Sequence, residues 1–214
     1  MKKILILYFI ILTLWTLVRF FVPINNGLEE VIIKPIIFFT PLFFILKSEQ
    51  KTHSIQEVGE EVGLKKEHFF KSIFIGVVAV ILLILYNELI THFLKGQSSR
   101  FQHMDFTSPI FFWNIVVSFF TAFCEEVIFR GYVFQKLMKL NKGIYFSTAV
   151  STTAFVLLHL PRIVFVLHFS PSELFVYLDL LLCLSVVNTV VFWKSKNLSS
   201  AITTHMIWNF YSSF

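Results

Sequence analysis

Charged residues are scarce in this chain of 214 residues: they make up 14% of it, while hydrophobic residues make up 56%. Soluble domains are about one quarter charged, so this composition excludes an ordinary soluble enzyme and predicts a membrane protein. Cysteine is nearly absent as well, and Cys124 and Cys183 both lie in apolar runs, which excludes a disulfide framework. Basic residues outnumber acidic ones, 18 to 13. We assign the excess to cytoplasmic loops and predict no nucleic-acid partner.

Long apolar runs are abundant, and a helix needs about 20 apolar residues to cross the hydrocarbon core of a bilayer. The candidate segments are Ile4–Val22, Val31–Leu46, Ile73–Leu94, Pro109–Phe134, Ile144–Leu160, Leu174–Trp193 and Leu198–Phe214. The second segment carries Pro35 and Pro41, so we expect it to kink or re-enter. The last is rich in Ser and Thr and is weak as a span. The pattern predicts an all-α, polytopic transmembrane helical bundle of about seven to eight membrane segments, forming a single domain over 1–214.

The basic residues indicate an orientation for this bundle. Twelve of the eighteen fall in alternate loops that would share one side of the membrane, at the N-terminus and in 47–71, 136–142 and 194–196. Because cytoplasmic loops carry the excess of Lys and Arg, we expect an N-terminus inside the cell. We also expect the cytoplasmic membrane of a prokaryote, and we find no internal repeat.

Three ionisable groups interrupt the apolar sequence in "TAFCEEVIFR", which spans Thr121 to Arg130. Charges inside a membrane are costly, and they are usually paired or functional. Glu126 and Arg130 are four residues apart, so they share a helix face and can pair. Glu125 points to a neighbouring face and has no counter-charge at helical spacing. A carboxylate in that position suits a general base.

Polar residues in later segments are candidate partners for Glu125. The turn between two helices is centred near Lys142, and Glu125 precedes it by 17 residues while His159 follows it by 17. In an antiparallel hairpin these two side chains lie level. His205 and Asn209 are four apart and share one face of the last segment. One carboxylate, two histidines and an asparagine can form a hydrolytic site in which water is the nucleophile.

Three short motifs carry a resemblance to a known family. They are "EEVIFR" from Glu125 to Arg130, "FVLLH" from Phe155 to His159, and "HMIWN" from His205 to Asn209. In this order they resemble the CPBP intramembrane proteases, also called the CAAX prenyl protease 2 or Abi family. The resemblance covers about 110–209, the motif-bearing half that we expect to be catalytic. It implies a helical bundle with a polar interior cavity, and a peptide or protein substrate at the lipid bilayer.

The resemblance also implies a role for each motif residue. Glu125 and His159 would activate the attacking water, and His205 with Asn209 would stabilise the oxyanion. Glu126 and Arg130 would give structural and substrate support.

The metal dependence stays open at this point, because the family has been described both as metalloproteases and as metal-independent glutamate proteases. Glu125, His159 and His205 could supply three ligands to Zn²⁺ and leave an open position for water. The sequence has no HExxH motif, so the two-histidine helix of many soluble zinc proteases is missing. We favour a site without a metal cofactor.

Two other classes of protein have compatible features. A non-catalytic membrane scaffold, or a bacteriocin-immunity or regulatory protein, could use the same fold, although every motif residue is present. A transporter or channel would also contain intramembrane Glu and His. It would further predict inverted repeats and broken helices in both halves, which the sequence does not display.

Overall fold

The computed structural model describes residues 1–22, 27–49, 54–95 and 108–213, and the regular structure in these ranges is helical throughout. The all-α prediction is therefore confirmed. The helices are α1 (Lys2–Phe21), α2 (Glu29–Ser48), α3 (Ile55–Glu61), α4 (Phe69–Lys95), α5 (Pro109–Lys139), α6 (Ile144–Phe165), α7 (Pro171–Ser195) and α8 (Ser199–Ser212). Six of them, namely α1, α2, α4, α5, α6 and α7, are long and apolar enough to cross a membrane.

The last helix, α8, differs from the six spans. It has only 14 residues, so at 1.5 Å per residue it covers about 21 Å and falls short of the hydrocarbon thickness. It packs against α4, α5 and α7, and Ala201, Thr204 and His205 are almost fully buried. Ser199, Ser200 and Thr204 are thus buried against protein rather than exposed to lipid, as expected for a helix that is weak as a span.

Helix α2 is continuous from Glu29 to Ser48, so the re-entrant alternative drawn from its prolines is wrong. Its irregular part is instead a π-helical segment at Glu29–Ile33, followed by α-helix over Lys34–Ser48 with Pro41 inside. A second π-helical segment, Val127–Phe134, lies in the second half of α5. Such segments widen a helix locally and are frequent at functional sites.

One end of the bundle, which we call the lysine-rich end, gathers Lys2, Lys3 and residues 47–49, 54–71, 136–142 and 194–198. Contacts join these parts. Glu49 lies 3.7 Å from the Lys3 ammonium and 2.6 Å from that of Lys136. The amide of Leu198 donates to the Gly63 carbonyl at 2.8 Å. The opposite end of the bundle joins the end of α8 to the beginning of α5, where the Phe111 and Phe210 rings are 5.0 Å apart.

Helix α8 is held close to α4 at a glycine. A Cβ atom added to Gly76 would lie 2.5 Å from the Ser200 carbonyl oxygen and 3.0 Å from the Thr203 Cβ. The Thr204 hydroxyl donates to the Gly76 carbonyl at 3.1 Å across the same crossing. This close approach positions the helix that carries His205 and Asn209.

We therefore predict that Gly76→Ala lowers the free energy of unfolding by about 1–3 kcal/mol, because the added methyl forces α4 and α8 apart. Thermal unfolding of the purified protein in detergent measures this. Gly59→Ala is the matched control, since its new Cβ would meet only the Leu64 Cβ, at an ordinary 3.9 Å. Equal melting temperatures for the two variants would contradict the close crossing.

Candidate active site

Three helices bring the predicted residues of the site together. Glu125 comes from α5, at the last turn before the π-helical segment, while His159 comes from α6 and His205 from α8. The Oε2 atom of Glu125 lies 3.9 Å from His159 Nε2 and 3.7 Å from His205 Nε2. That oxygen is buried and has no hydrogen-bond partner in the described structure.

These side chains line a cavity of about 670 Å³. Its wall includes Glu125, His159, His205 and Asn209, so the four residues predicted to converge share one space. Glu126 and Arg130 are fully buried behind it and are not part of the wall. Their position fits structural support.

Glu126 and Arg130 form a buried ion pair at 3.0 Å. The second guanidinium nitrogen of Arg130 also donates to the Ser185 carbonyl and hydroxyl, at 2.7 and 2.8 Å. The same oxygen of Glu126 that accepts from Arg130 accepts from the Asn188 amide at 2.9 Å. These bonds tie α5 to α7 and satisfy a buried charge, which would otherwise be costly.

Each histidine ring is oriented by a hydrogen bond at its Nδ1 atom. His205 Nδ1 lies 2.7 Å from the Glu126 carboxylate, and His159 Nδ1 lies 2.9 Å from the Phe155 carbonyl. Both partners are acceptors, so we assign a proton to Nδ1 of each ring. Each ring then presents Nε2 to the free oxygen of Glu125.

The structure corrects the expectation that Glu125 lacks a counter-charge. The Lys34 ammonium lies 2.5 Å from Glu125 Oε1 and 2.6 Å from Glu30 Oε2. Lys34 is 2% exposed and also lies 5.0 Å from the centre of the Trp15 ring. Sequence reasoning considered only partners on the same helix as Glu125, and so it missed a lysine on α2.

The network of buried charges extends further into the N-terminal half. Arg19 donates to Glu29 at 3.0 Å and also contacts Glu30. The Thr121 hydroxyl of α5 donates to Glu30 at 3.1 Å. Arg19, Glu29 and Glu30 are all at most 7% exposed. Together with Lys34 they link α1 and α2 to the carboxylate of Glu125.

A short internal repeat in the sequence could have revealed these residues, contrary to our expectation of none. "EEVIIK" at 29–34 and "EEVIFR" at 125–130 differ at two positions, both conservatively. In each, the second glutamate pairs with the basic residue four positions later, as Glu30–Lys34 and Glu126–Arg130. Both helices run toward the lysine-rich end, so this is not the inverted repeat of a transporter.

The side chains do not fit a metal ion. Among the described residues, no group of three His, Cys, Asp or Glu side chains is arranged to hold one. One oxygen of Glu125 is already in contact with the positive charge of Lys34, so only its other oxygen is left to bind a cation. The zinc alternative, with Glu125, His159 and His205 as ligands, therefore finds no support in this geometry.

A family model matches part of the chain. The family model described as type II CAAX prenyl endopeptidase Rce1-like matches residues 107–211, nearly half of the chain. No curated protein and no solved structure matches the chain. The matched segment contains all three motifs, and the helices around it make the protein an integral, multi-pass membrane protein. Over residues 107–211 the chain is therefore similar to the Rce1-like type II CAAX prenyl endopeptidases.

Proposed function

We propose that the protein is an intramembrane endopeptidase that hydrolyses a membrane-associated or prenylated peptide, with a water activated by Glu125 and His159 as the nucleophile. The observation that carries this proposal is the free Oε2 of Glu125, which faces two histidine Nε2 atoms inside a cavity. The match of residues 107–211 to a family of CAAX prenyl endopeptidases supports the reaction class.

The spacing of the two groups suits a bridging water. Glu125 Oε2 and His159 Nε2 are 3.9 Å apart, too far for a direct hydrogen bond but close enough to share one water. As this water attacks the scissile carbonyl carbon, its oxygen forms the new C–O bond and its proton passes to Glu125. When the C–N bond breaks, Glu125 returns the proton to the leaving amine.

His205 and Asn209 are placed to stabilise the oxyanion. The Asn209 side chain can offer an amide donor from the cavity wall, one turn from His205. His205 can donate from Nε2 only when both ring nitrogens carry protons, because Nδ1 already faces Glu126.

Buried charges surround the His205 ring. The contacts described above join four carboxylates to three basic side chains: Glu29, Glu30, Glu125 and Glu126 with Arg19, Lys34 and Arg130. The His205 ring lies 3.7 Å from Glu125 and 2.7 Å from Glu126.

The wider assignments follow from the same arrangement. The half of the chain over 110–209 carries the reacting groups, and the N-terminal half supplies the counter-charge Lys34. We propose that the chain is one membrane domain in the cytoplasmic membrane of a prokaryote, with its N-terminus inside the cell. The alternative, a scaffold or immunity protein on the same fold, requires no hydrolysis and is separated from our proposal by the first test below.

The first test removes the base. Glu125→Gln should lower cleavage of an internally quenched peptide ending in a farnesylated Cys-aliphatic-aliphatic-X sequence by about 10²- to 10⁴-fold, because the amide cannot take a proton. The unprenylated peptide is assayed beside it to define the substrate. Glu88→Gln, a half-buried glutamate of α4 that is outside the cavity wall, is the control and should keep wild-type rates. If the wild type cleaved neither peptide, the scaffold alternative would take the place of the protease.

The second test removes the counter-charge of the base. Lys34→Met should lower kcat by about 100-fold, more than it raises KM, because the free carboxylate oxygen is no longer held toward the histidines. Lys34→Arg keeps the positive charge and should recover part of the rate. Asn197→Ala is a matched control for lost stability. It removes buried hydrogen bonds to the Lys65 and Glu67 carbonyls, far from the cavity. A wild-type kcat in Lys34→Met would contradict the role.

The third test concerns the buried pair behind the cavity. Arg130→Ala should lower the free energy of unfolding by about 3–5 kcal/mol, since it leaves Glu126 buried and unpaired. Lys139→Ala is the control: that side chain is 47% exposed in its pair with Glu61, and such surface pairs contribute about 0–1 kcal/mol. Full stability in Arg130→Ala together with lost cleavage would move Arg130 into the active site.

A further inference from the structure

The cavity occupies one half of the bundle along its axis. Its deepest polar groups are Glu125, Lys34 and His205, all buried. At the end of the cavity remote from these groups, the wall includes Glu173, at the beginning of α7, and Ser213, just after the end of α8. Both residues are exposed. The cavity therefore opens where α1, α4, α6 and α8 end and where α2, α5 and α7 begin.

This mouth lies at the end opposite the lysine-rich end. Most wall residues come from the half of their helix that is remote from the lysine-rich end, and the deepest ones, Glu125, Leu184 and His205, lie near the middle of theirs. Contacts such as Lys139–Glu61 and the bond from the Asn197 amide to the Lys65 carbonyl hold the lysine-rich segments together at the far end. The mouth and the lysines are thus on opposite faces of the membrane.

The charge asymmetry assigns a side of the cell to each face. Short loops rich in Lys and Arg stay in the cytoplasm, so the lysine-rich end faces inward. We infer that the cavity opens on the extracytoplasmic side, and that its substrate is a peptide presented at the outer leaflet, exported or anchored there. This inference rests on the proposed endopeptidase function for the nature of the substrate, but its statement about the mouth depends on geometry and charge alone.

The dimensions and chemistry of the mouth suit such a peptide. Seven residues separate His205 from Ser212, so the site lies about 10 Å along α8 from the helix end. Three residues of extended peptide, at about 3.3 Å each, cover this distance. Between the site and the mouth, the cavity wall contains the rings of Trp113, Phe169 and Tyr177 and the amide of Asn114. Trp and Tyr carry a polar group on an apolar ring, so they are favoured where one end of a side chain is apolar and the other contacts water.

Cysteine labelling tests the position of the mouth without any need for activity. Ser213→Cys and Ser172→Cys place a thiol at the mouth end, and Lys142→Cys places one at the lysine-rich end; all three positions are exposed. Each full-length variant is expressed in a bacterial host and treated with a membrane-impermeant maleimide in intact protoplasts, then again after permeabilisation. The wild type, which retains Cys124 and Cys183, gives the background.

We expect the two mouth variants to be labelled to the same extent before and after permeabilisation, and Lys142→Cys to be labelled only afterwards. The reverse pattern would overturn the inference. Mouth cysteines that react only after permeabilisation, or not at all, would overturn it too.

A second arm tests from which side the substrate enters. The farnesylated quenched peptide, made with charged residues that prevent it from crossing the bilayer, is added to intact protoplasts and to inside-out vesicles, with Glu125→Gln as the blank. Cleavage in protoplasts alone supports entry from outside, and cleavage in inside-out vesicles alone refutes it. If the detergent-solubilised wild type cleaved no peptide, the proposed function and this entry route would fail, while the labelling would still decide where the cavity opens.

Discussion

The contact between Lys34 and Glu125 is the interaction on which the candidate site depends. A carboxylate inside a membrane bundle is costly unless an opposite charge reaches it, and no such charge lies at helical spacing on α5. The counter-charge comes from α2 at 2.5 Å and is itself held by Glu30. Because Lys34 engages Oε1, the other oxygen of Glu125 is left to face His159 and His205. One ion pair thus both neutralises the carboxylate and fixes its direction.

The same constraint joins the two halves of the chain. The family match begins at residue 107, so it contains the three motifs but not Lys34, Glu30 or Arg19. Charge neutrality in the site therefore depends on helices outside the matched segment. The two hexapeptides provide their charges in the same way. The second glutamate pairs within the helix, as Glu30 with Lys34 and Glu126 with Arg130. The first glutamate contacts another helix, as Glu29 does with Arg19 and Glu125 with Lys34. The first hexapeptide begins with the π-helical segment Glu29–Ile33, while the second starts in α-helix at Glu125 and runs into the π-helical segment Val127–Phe134.

Much of this arrangement could be predicted from the sequence. Hydropathy predicts the six long helices. Because Glu125 and His159 are equally far in sequence from the turn at Lys142, an antiparallel hairpin places them level, and the structure places them 3.9 Å apart. What could not be predicted was contact between helices that are distant in the chain. Residues 34 and 125 are 91 positions apart, and no periodicity relates them. The prolines of α2 were misleading because the irregular backbone lies at Glu29–Ile33, before them. The roles of the motif residues in catalysis stay predictions.

A double-mutant cycle on the free energy of unfolding tests the central claim most directly. Lys34→Met, Glu125→Gln and the double variant are unfolded in detergent beside the wild type. If the two side chains form the buried pair described here, each single change leaves one member of the pair unmatched, and the double change removes both members while Glu30 keeps its contact with Arg19. The two losses should then be non-additive, with a coupling of about 0.5–3 kcal/mol. Losses that add within about 0.3–0.5 kcal/mol would show that Lys34 does not hold Glu125, and would contradict this account of the site.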